Sequence, residues 1–267
     1  MLVSASLGAI VGLILAVTGA GGAIIAVPLL IFVLHWDVAH AAPVALLAVA
    51  ASSLVGTVMG LRSAIVRYRA AFLMAGFGSV MTPLGVLVAH HLPPAPLALI
   101  FSAVLAFVAV RMFRQASVSS GASLPAQRSA ACKLNSETGR FDWNAPCARA
   151  LSQAGLLTGF LSGLLGVGGG FLIVPSLRSA TDLPMNSIIA TSLMVIALIS
   201  ASAVSVSAAA GHLDTAVALP FAGGAVAAML AGRIVAGHLA GPRLQQSFAV
   251  LAGVVAVSLA IRTMIRM

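Results

Sequence analysis

The chain has 267 residues, 61% of them hydrophobic and only 7% charged, with a formal net charge of +9. Ordinary soluble domains carry about 25% charged residues, so the composition excludes that class and predicts an all-α integral membrane protein. Most of the cations lie in loops and tails between apolar runs, where they read as an orientation signal facing anionic lipid, not as a nucleic-acid surface.

Residues 7 to 34 form the first apolar run, interrupted at Gly19-Ala20-Gly21-Gly22. As one straight helix it would be about 42 Å long, against a hydrocarbon core of about 30 Å. The run therefore tilts strongly or consists of two shorter pieces meeting at the glycines. It is apolar from the start and has no basic stretch before it, which argues against a cleaved signal peptide. His35-Trp36-Asp37 reads as an interfacial turn, with Trp36 as a headgroup anchor.

Residues 41 to 60 make a second segment, rich in the small residues that let helices approach closely in lipid. A short basic loop carries Arg62, Arg67 and Arg69. Residues 70 to 89 are the third segment. His90-His91-Leu92-Pro93-Pro94 is a stiff turn, and residues 97 to 110 are the fourth segment, ending at Arg111 and Arg114.

Residues 115 to 150 are the one long polar stretch. They have too few apolar residues for a core and read as a linker. Both cysteines, Cys132 and Cys147, fall here, with no CxxC or Cys/His metal-ligand spacing. If this loop is cytoplasmic, a disulfide between them is disfavoured.

The second half repeats the pattern with segments at 151 to 177, 186 to 209, 215 to 237 and 245 to 261. A single offset of 147 positions pairs Gly19–Pro28 with Gly166–Pro175. It also pairs Gly8 with Gly155, Gly12 with Gly159, Ser53 with Ser200, Gly85 with Gly232, His91 with His238 and Phe101 with Phe248. A constant offset over about a hundred residues marks an internal duplication. The expected organisation is a membrane repeat over 1–114, a polar central loop over 115–150 and a second membrane repeat over 151–267. Each repeat has four apolar segments, the first broken at glycines.

Gly166-Val167-Gly168-Gly169-Gly170 is a poor helix, since each glycine costs about 1 kcal/mol against Ala. Pro175 cannot donate to the carbonyl of Phe171. Unwound backbone in a membrane is tolerated where it faces protein or lines a wet cavity. Paired interrupted segments in two halves point to a transporter substrate site.

Two topologies follow. If each broken element crosses fully, there are eight spans. If each enters and returns as a hairpin, each half crosses three times and the halves are inverted. In both, the basic loops and the central loop lie on the cytoplasmic side by the positive-inside rule.

The run Gly159-Phe160-Leu161-Ser162-Gly163-Leu164-Leu165-Gly166-Val167-Gly168-Gly169-Gly170-Phe171-Leu172-Ile173-Val174-Pro175 resembles the signature of the sulfite exporter TauE/SafE family. Ala190-Thr191-Ser192-Leu193, the duplicated layout and the central loop are also similar to that family. The first half departs from it at Ala20, Ala23 and Pro43-Val44-Ala45-Leu46. The resemblance implies transport of small anions, sulfite and organosulfonates among them, across the bacterial inner membrane.

An anion needs donors and no carboxylate nearby. Helices restarting after the glycines would offer free N–H groups and a positive dipole end. The candidate substrate-binding positions are Gly19, Gly21, Gly22 and Ala23 in the first half. In the second they are Gly166, Gly168, Gly169, Gly170 and Phe171, and the two ends could face one anion near the midplane. Thr191 and Ser192 could add hydroxyl donors, although such hydroxyls also bond back to their own helix. Arg233 is a candidate anion contact, with snorkelling as its alternative. His91 and His238 could gate access by titrating near neutral pH.

Asp37, Asp182 and Asp214 all fall in turns, and no Asp or Glu lies inside a span, so a carboxylate proton relay is not expected. No Walker motif is present, so ATP is not the direct energy source. No cofactor or metal is expected. An enzyme would need paired carboxylates, a His cluster or an activated nucleophile, and none occurs at helical spacing. The function reads as a secondary transporter or facilitator for a small anion. The alternative is a non-transporting membrane subunit or assembly factor. The expected partners are the anion and the bilayer; a homo-oligomer is compatible with the sequence.

Overall fold

The computed structural model describes residues 2–19, 22–119, 132, 144–211, 214–239 and 242–266. Among these the chain is helical: α1 (Leu2–Thr18), α2 (Gly22–Leu34), α3 (Val38–Arg62), α4 (Tyr68–His91), α5 (Pro94–Ser119), α6 (Ala145–Leu165), α7 (Gly170–Ala180), α8 (Met185–Ala209), α9 (Thr215–Leu239) and α10 (Pro242–Arg266). No strand occurs among the described residues, only an isolated parallel bridge between Cys132 and Thr181. Five stretches, in α3, α4, α5, α8 and α9, are long and apolar enough to cross a membrane.

Helix ends differ from the sequence expectation mainly around the polar stretch. α5 continues to Ser119 and α6 begins at Ala145. Gln115 and Ala116 are good helix formers and need no apolar face to extend the helix. A proline in the first turn of α6 presets its backbone for helix.

At both glycine breaks the chain doubles back. A Cβ built on Gly22 would stand 2.6 Å from the carbonyl oxygen of Val11, and one on Gly169 would stand 3.0 Å from that of Thr158. Eleven residues of straight helix would separate each pair by about 16 Å. The helices flanking each break therefore pack against one another as a helical hairpin. The reversal needs left-handed backbone at Gly166, Gly168 and Gly169, with φ of 70°, 65° and 65°. An L-residue there costs about 1–2 kcal/mol, which accounts for glycine at these places.

The helices pack across the chain. α1 lies along α9, and α6 lies along α4. Both interfaces depend on bare backbone. A Cβ on Gly8 or Gly12 would strike the carbonyls of Phe221 or Ala225, and one on Gly155 or Gly159 those of Met74 or Gly78. Small residues permit this approach in lipid, where van der Waals contact drives association. α3 and α8 run antiparallel at the centre, with Gly56 beside Leu193 and Gly60 beside Ala190. Their spans are 61% and 72% buried, against 33% for those of α5 and α9. α5 pairs with α10. Phe72, Phe77, Leu84, Phe107, Leu219 and Val254 stay exposed, forming an apolar surface for lipid to cover.

One end of the bundle gathers His35, Trp36, Asp37, Pro94 and Arg262 around a cavity of about 200 Å³. The other joins the α3–α4 loop to α8: the Ser187 hydroxyl donates to the Ile65 carbonyl, and the Arg67 N–H donates to Thr191 Oγ1 at 3.0 Å. The disulfide lies at this second end and corrects a sequence expectation. Cys132 and Cys147 are bonded, with Cα atoms 4.8 Å apart. The Cys132 N–H donates to the Ala180 carbonyl at 2.9 Å. Cys147 sits in the first turn of α6, so the hairpin that returns α7 beside α6 brings the two sulfurs together.

Candidate functional site

The buried hydroxyls without partners among the described residues belong to Thr158, Ser162 and Ser200, on the helices that border the second glycine turn. Gly166 ends α6 and donates to the Ser162 carbonyl at 2.9 Å. Gly169 caps the start of α7, and its carbonyl accepts from Leu172 and Ile173 at 3.0 and 3.3 Å. The amides of Gly170 and Phe171 precede those first bonded ones, at a helix N-terminus whose leading N–H groups have no acceptor within the helix. Gly168 faces α3 and α8. A Cβ there would stand 2.8 Å from Ser200 Oγ and 3.0 Å from Val49 Cγ1.

Three residues bordering this turn carry hydroxyls: Thr158 and Ser162 on α6 and Ser200 on α8. All are fully buried, and none has a hydrogen-bond partner. Thr158 and Ser162 are one helical turn apart on α6, so they share a face. Gly169 rests on Thr158, and Ser200 approaches Gly168 from α8. Each unpaired buried hydroxyl costs about 1–3 kcal/mol. The condition is local. Ser52 donates to the Ala48 carbonyl at 2.5 Å, Thr57 to that of Ser53 at 2.7 Å and Thr82 to that of Gly78 at 2.8 Å.

The sequence argument missed Thr158 and Ser162. The 147-residue offset held the signal, because it pairs them with Val11 and Leu15. Two polar positions on one helix face, where the twin is apolar, mark a difference that packing alone does not require.

The first turn is correspondingly apolar. Gly22 rests on Val11 and Leu15, and Gly19 abuts Ile189. Ser53, the twin of Ser200, donates to the Val49 carbonyl. Ala23 falls in the first turn of α2, and Gly21 lies outside the described residues. The tips of the two turns are not brought together. Gly166 abuts Ala42, whereas Ile189 lies level with Gly60 on α3. Eighteen residues of α3 place these levels about 27 Å apart, so one small anion does not bridge both tips.

Thr191 and Ser192 are buried and already engaged. Thr191 Oγ1 accepts the Arg67 N–H, and Ser192 donates to the Ile189 carbonyl at 2.8 Å. His91 is exposed in the last turn of α4, with Nδ1 2.8 Å from the Leu87 carbonyl. His238 belongs to the last turn of α9, at the opposite end of the bundle, and its side chain lies outside the described residues. Arg233 reaches α3, where a Cβ on Gly56 would stand 3.4 Å from its terminal nitrogen. That nitrogen and Nε are buried and unpartnered.

Comparison with known proteins finds relatives named as membrane transporters. A protein of Xylella fastidiosa strain 9a5c, named a probable membrane transporter protein, is 29% identical over 197 residues, covering 73% of this chain and 69% of the relative. Its counterpart in strain Temecula1 is 28% identical over the same extent. No solved structure matches the chain. The family model for sulfite exporter TauE/SafE matches residues 4–259, and the chain belongs to that family of multi-pass membrane transporters.

Proposed function

We propose that this chain is a secondary transporter or facilitator for a small anion of the sulfite or organosulfonate class, and that the second glycine turn binds it. One observation carries the reading: three fully buried hydroxyls without partners, those of Thr158, Ser162 and Ser200, belong to residues of the two helices that border the second glycine turn. An anion there would accept from Thr158, Ser162 and Ser200 and from the amides of Gly170 and Phe171. It would satisfy groups that otherwise each cost about 1–3 kcal/mol, and the α7 dipole favours its charge. Backbone and hydroxyl donors hold a divalent or monovalent oxyanion without forming a tight ion pair, which suits a solute that must also leave.

The two-repeat organisation supports a site of this kind. The 147-residue offset relates the α1–α9 contacts to the α6–α4 contacts, and Gly22 on Val11 to Gly169 on Thr158. With hairpins, each repeat crosses three times, so the halves are inverted across the membrane. We further propose that the bundle end with Arg62, Arg67, Arg69, Arg149 and Arg178 faces the cytoplasm of a bacterial inner membrane, opposite Arg262. The disulfide at that end would then be of the redox-responsive kind.

Flux into proteoliposomes tests the function. Sulfite, thiosulfate and sulfoacetate are offered in turn, with chloride as control. At least one sulfur oxyanion should enter faster than through protein-free vesicles, and Thr158→Val with Ser200→Ala should remove the difference. Unchanged flux in that double variant would move the site elsewhere. No flux of any anion in the parent protein would remove the transport reading.

A further inference from the structure

The cavity at the His35 end, the disulfide and Arg233 are the features that the second turn does not absorb, and Arg233 carries the most. Its Nε and one terminal nitrogen are buried without a partner. One terminal nitrogen reaches Gly56 on α3, at a point where Met229 and Leu193 also meet that glycine. The aspartates among the described residues, Asp37, Asp182 and Asp214, all lie outside the helices, in connecting turns. Two buried guanidinium nitrogens with no carboxylate beside them among the described residues are disfavoured in a membrane, and a small anion would supply the counter-charge.

Its position fits. Arg233 meets α3 at Gly56, and the second turn meets α3 at Val49. These residues are seven apart, on one face of α3 and about 10 Å along its axis. α8 repeats the relation: Leu193 borders Gly56, and Ser200, seven residues on, borders Gly168. The twin of Arg233 at the 147-residue offset is Val86, a buried apolar residue, so the cation is present in one half only.

We infer that Arg233 is a second anion-binding station, charged where the glycine turn is neutral, and that the transported anion moves between the two along the shared face of α3 and α8. The inference rests on the transport reading above. Gly56 has a defined role in it: a side chain there would press on the guanidinium from α3.

The test uses the full chain in proteoliposomes with sulfite as probe. Arg233→Gln should raise the half-saturating sulfite concentration about tenfold, the usual worth of a charge-assisted hydrogen bond. Arg233→Lys should recover part of the loss, and chloride leak should not change. If the parent moves sulfite and Arg233→Gln moves it with unchanged half-saturation and rate, the second station is wrong while the transport reading stands. If the parent moves no sulfur oxyanion, the transport reading itself fails. A measurement on the parent protein guards against a variant that does not fold. Phenylglyoxal modification of Arg233, followed by peptide mass spectrometry, should slow in saturating sulfite and not in chloride. Equal modification in both salts overturns the inference.

Discussion

Gly169 rests directly on the backbone of Thr158: a Cβ on the glycine would stand 3.0 Å from the threonine carbonyl oxygen. The contact closes the hairpin between α6 and α7 and sets the height at which α7 begins. The Thr158 methyl also meets this glycine, where it would strike a Cβ. Gly169→Val adds a branched side chain at a φ of 65°, a strain of about 1–2 kcal/mol before any clash is counted. The long spans α3, α4, α8 and α9 do not depend on it. The variant should therefore insert normally, by membrane fractionation and helical circular dichroism, while sulfite flux falls to the protein-free background. Parent-like flux would detach this turn from transport.

Thr158→Val and Ser200→Ala should separate stability from function. Each removes a buried hydroxyl that lacks a partner, so each should leave thermal stability unchanged or raise it by about 1 kcal/mol. Sulfite binding should weaken in both, about tenfold per lost donor. Melting temperatures with and without sulfite check both statements. A drop in stability without ligand would assign these hydroxyls to packing.

Thr191→Val should behave in the opposite way. Its oxygen accepts the Arg67 N–H and ties the α3–α4 loop to α8. Losing it orphans a backbone donor, so stability should fall by about 1–3 kcal/mol while half-saturation for sulfite shifts less than in Ser200→Ala. A denaturation series alongside flux measurements decides. A loss of affinity at full stability would place Thr191 at the ligand.

The Cys132–Cys147 pair closes a loop with a sequence separation of 15. A loop of that size is worth about 3 kcal/mol in the chain-entropy account. Reductant should lower the melting temperature of the parent and not that of Cys132→Ser. A membrane-impermeant maleimide, applied after reduction, should label inside-out vesicles and not intact cells. The reverse labelling would put the arginine-rich end outside.

Much of the fold was legible before any coordinates. Gly19–Gly22 and Gly166–Gly170 cannot continue a helix, and the constant offset tied them together. Whether the chain crosses or turns back there was not legible, because length alone allowed both; the contact of Gly22 with Val11 settles it. The hydroxyls were harder. Thr191 and Ser192 stand out by following the glycine motif, yet their oxygens are bonded to backbone. Thr158 and Ser162 look like ordinary small residues of an apolar helix. Their apolar twins Val11 and Leu15 mark them in the sequence, but the absence of partners, a three-dimensional property, is what singles them out. The disulfide was likewise hidden, since the approach of Cys132 to Cys147 depends on the hydrogen bond to Ala180.

The exchange of partners between α1 and α9 has a consequence for biosynthesis. α1 packs along a helix whose first residue, Thr215, lies about two hundred residues further along the chain. At about 5–20 residues per second, roughly 10 to 40 s of translation separate them. Through that interval the bare backbone of Gly8 and Gly12 faces lipid or a chaperone. Insertion must therefore hold α1 in waiting until α9 has been made.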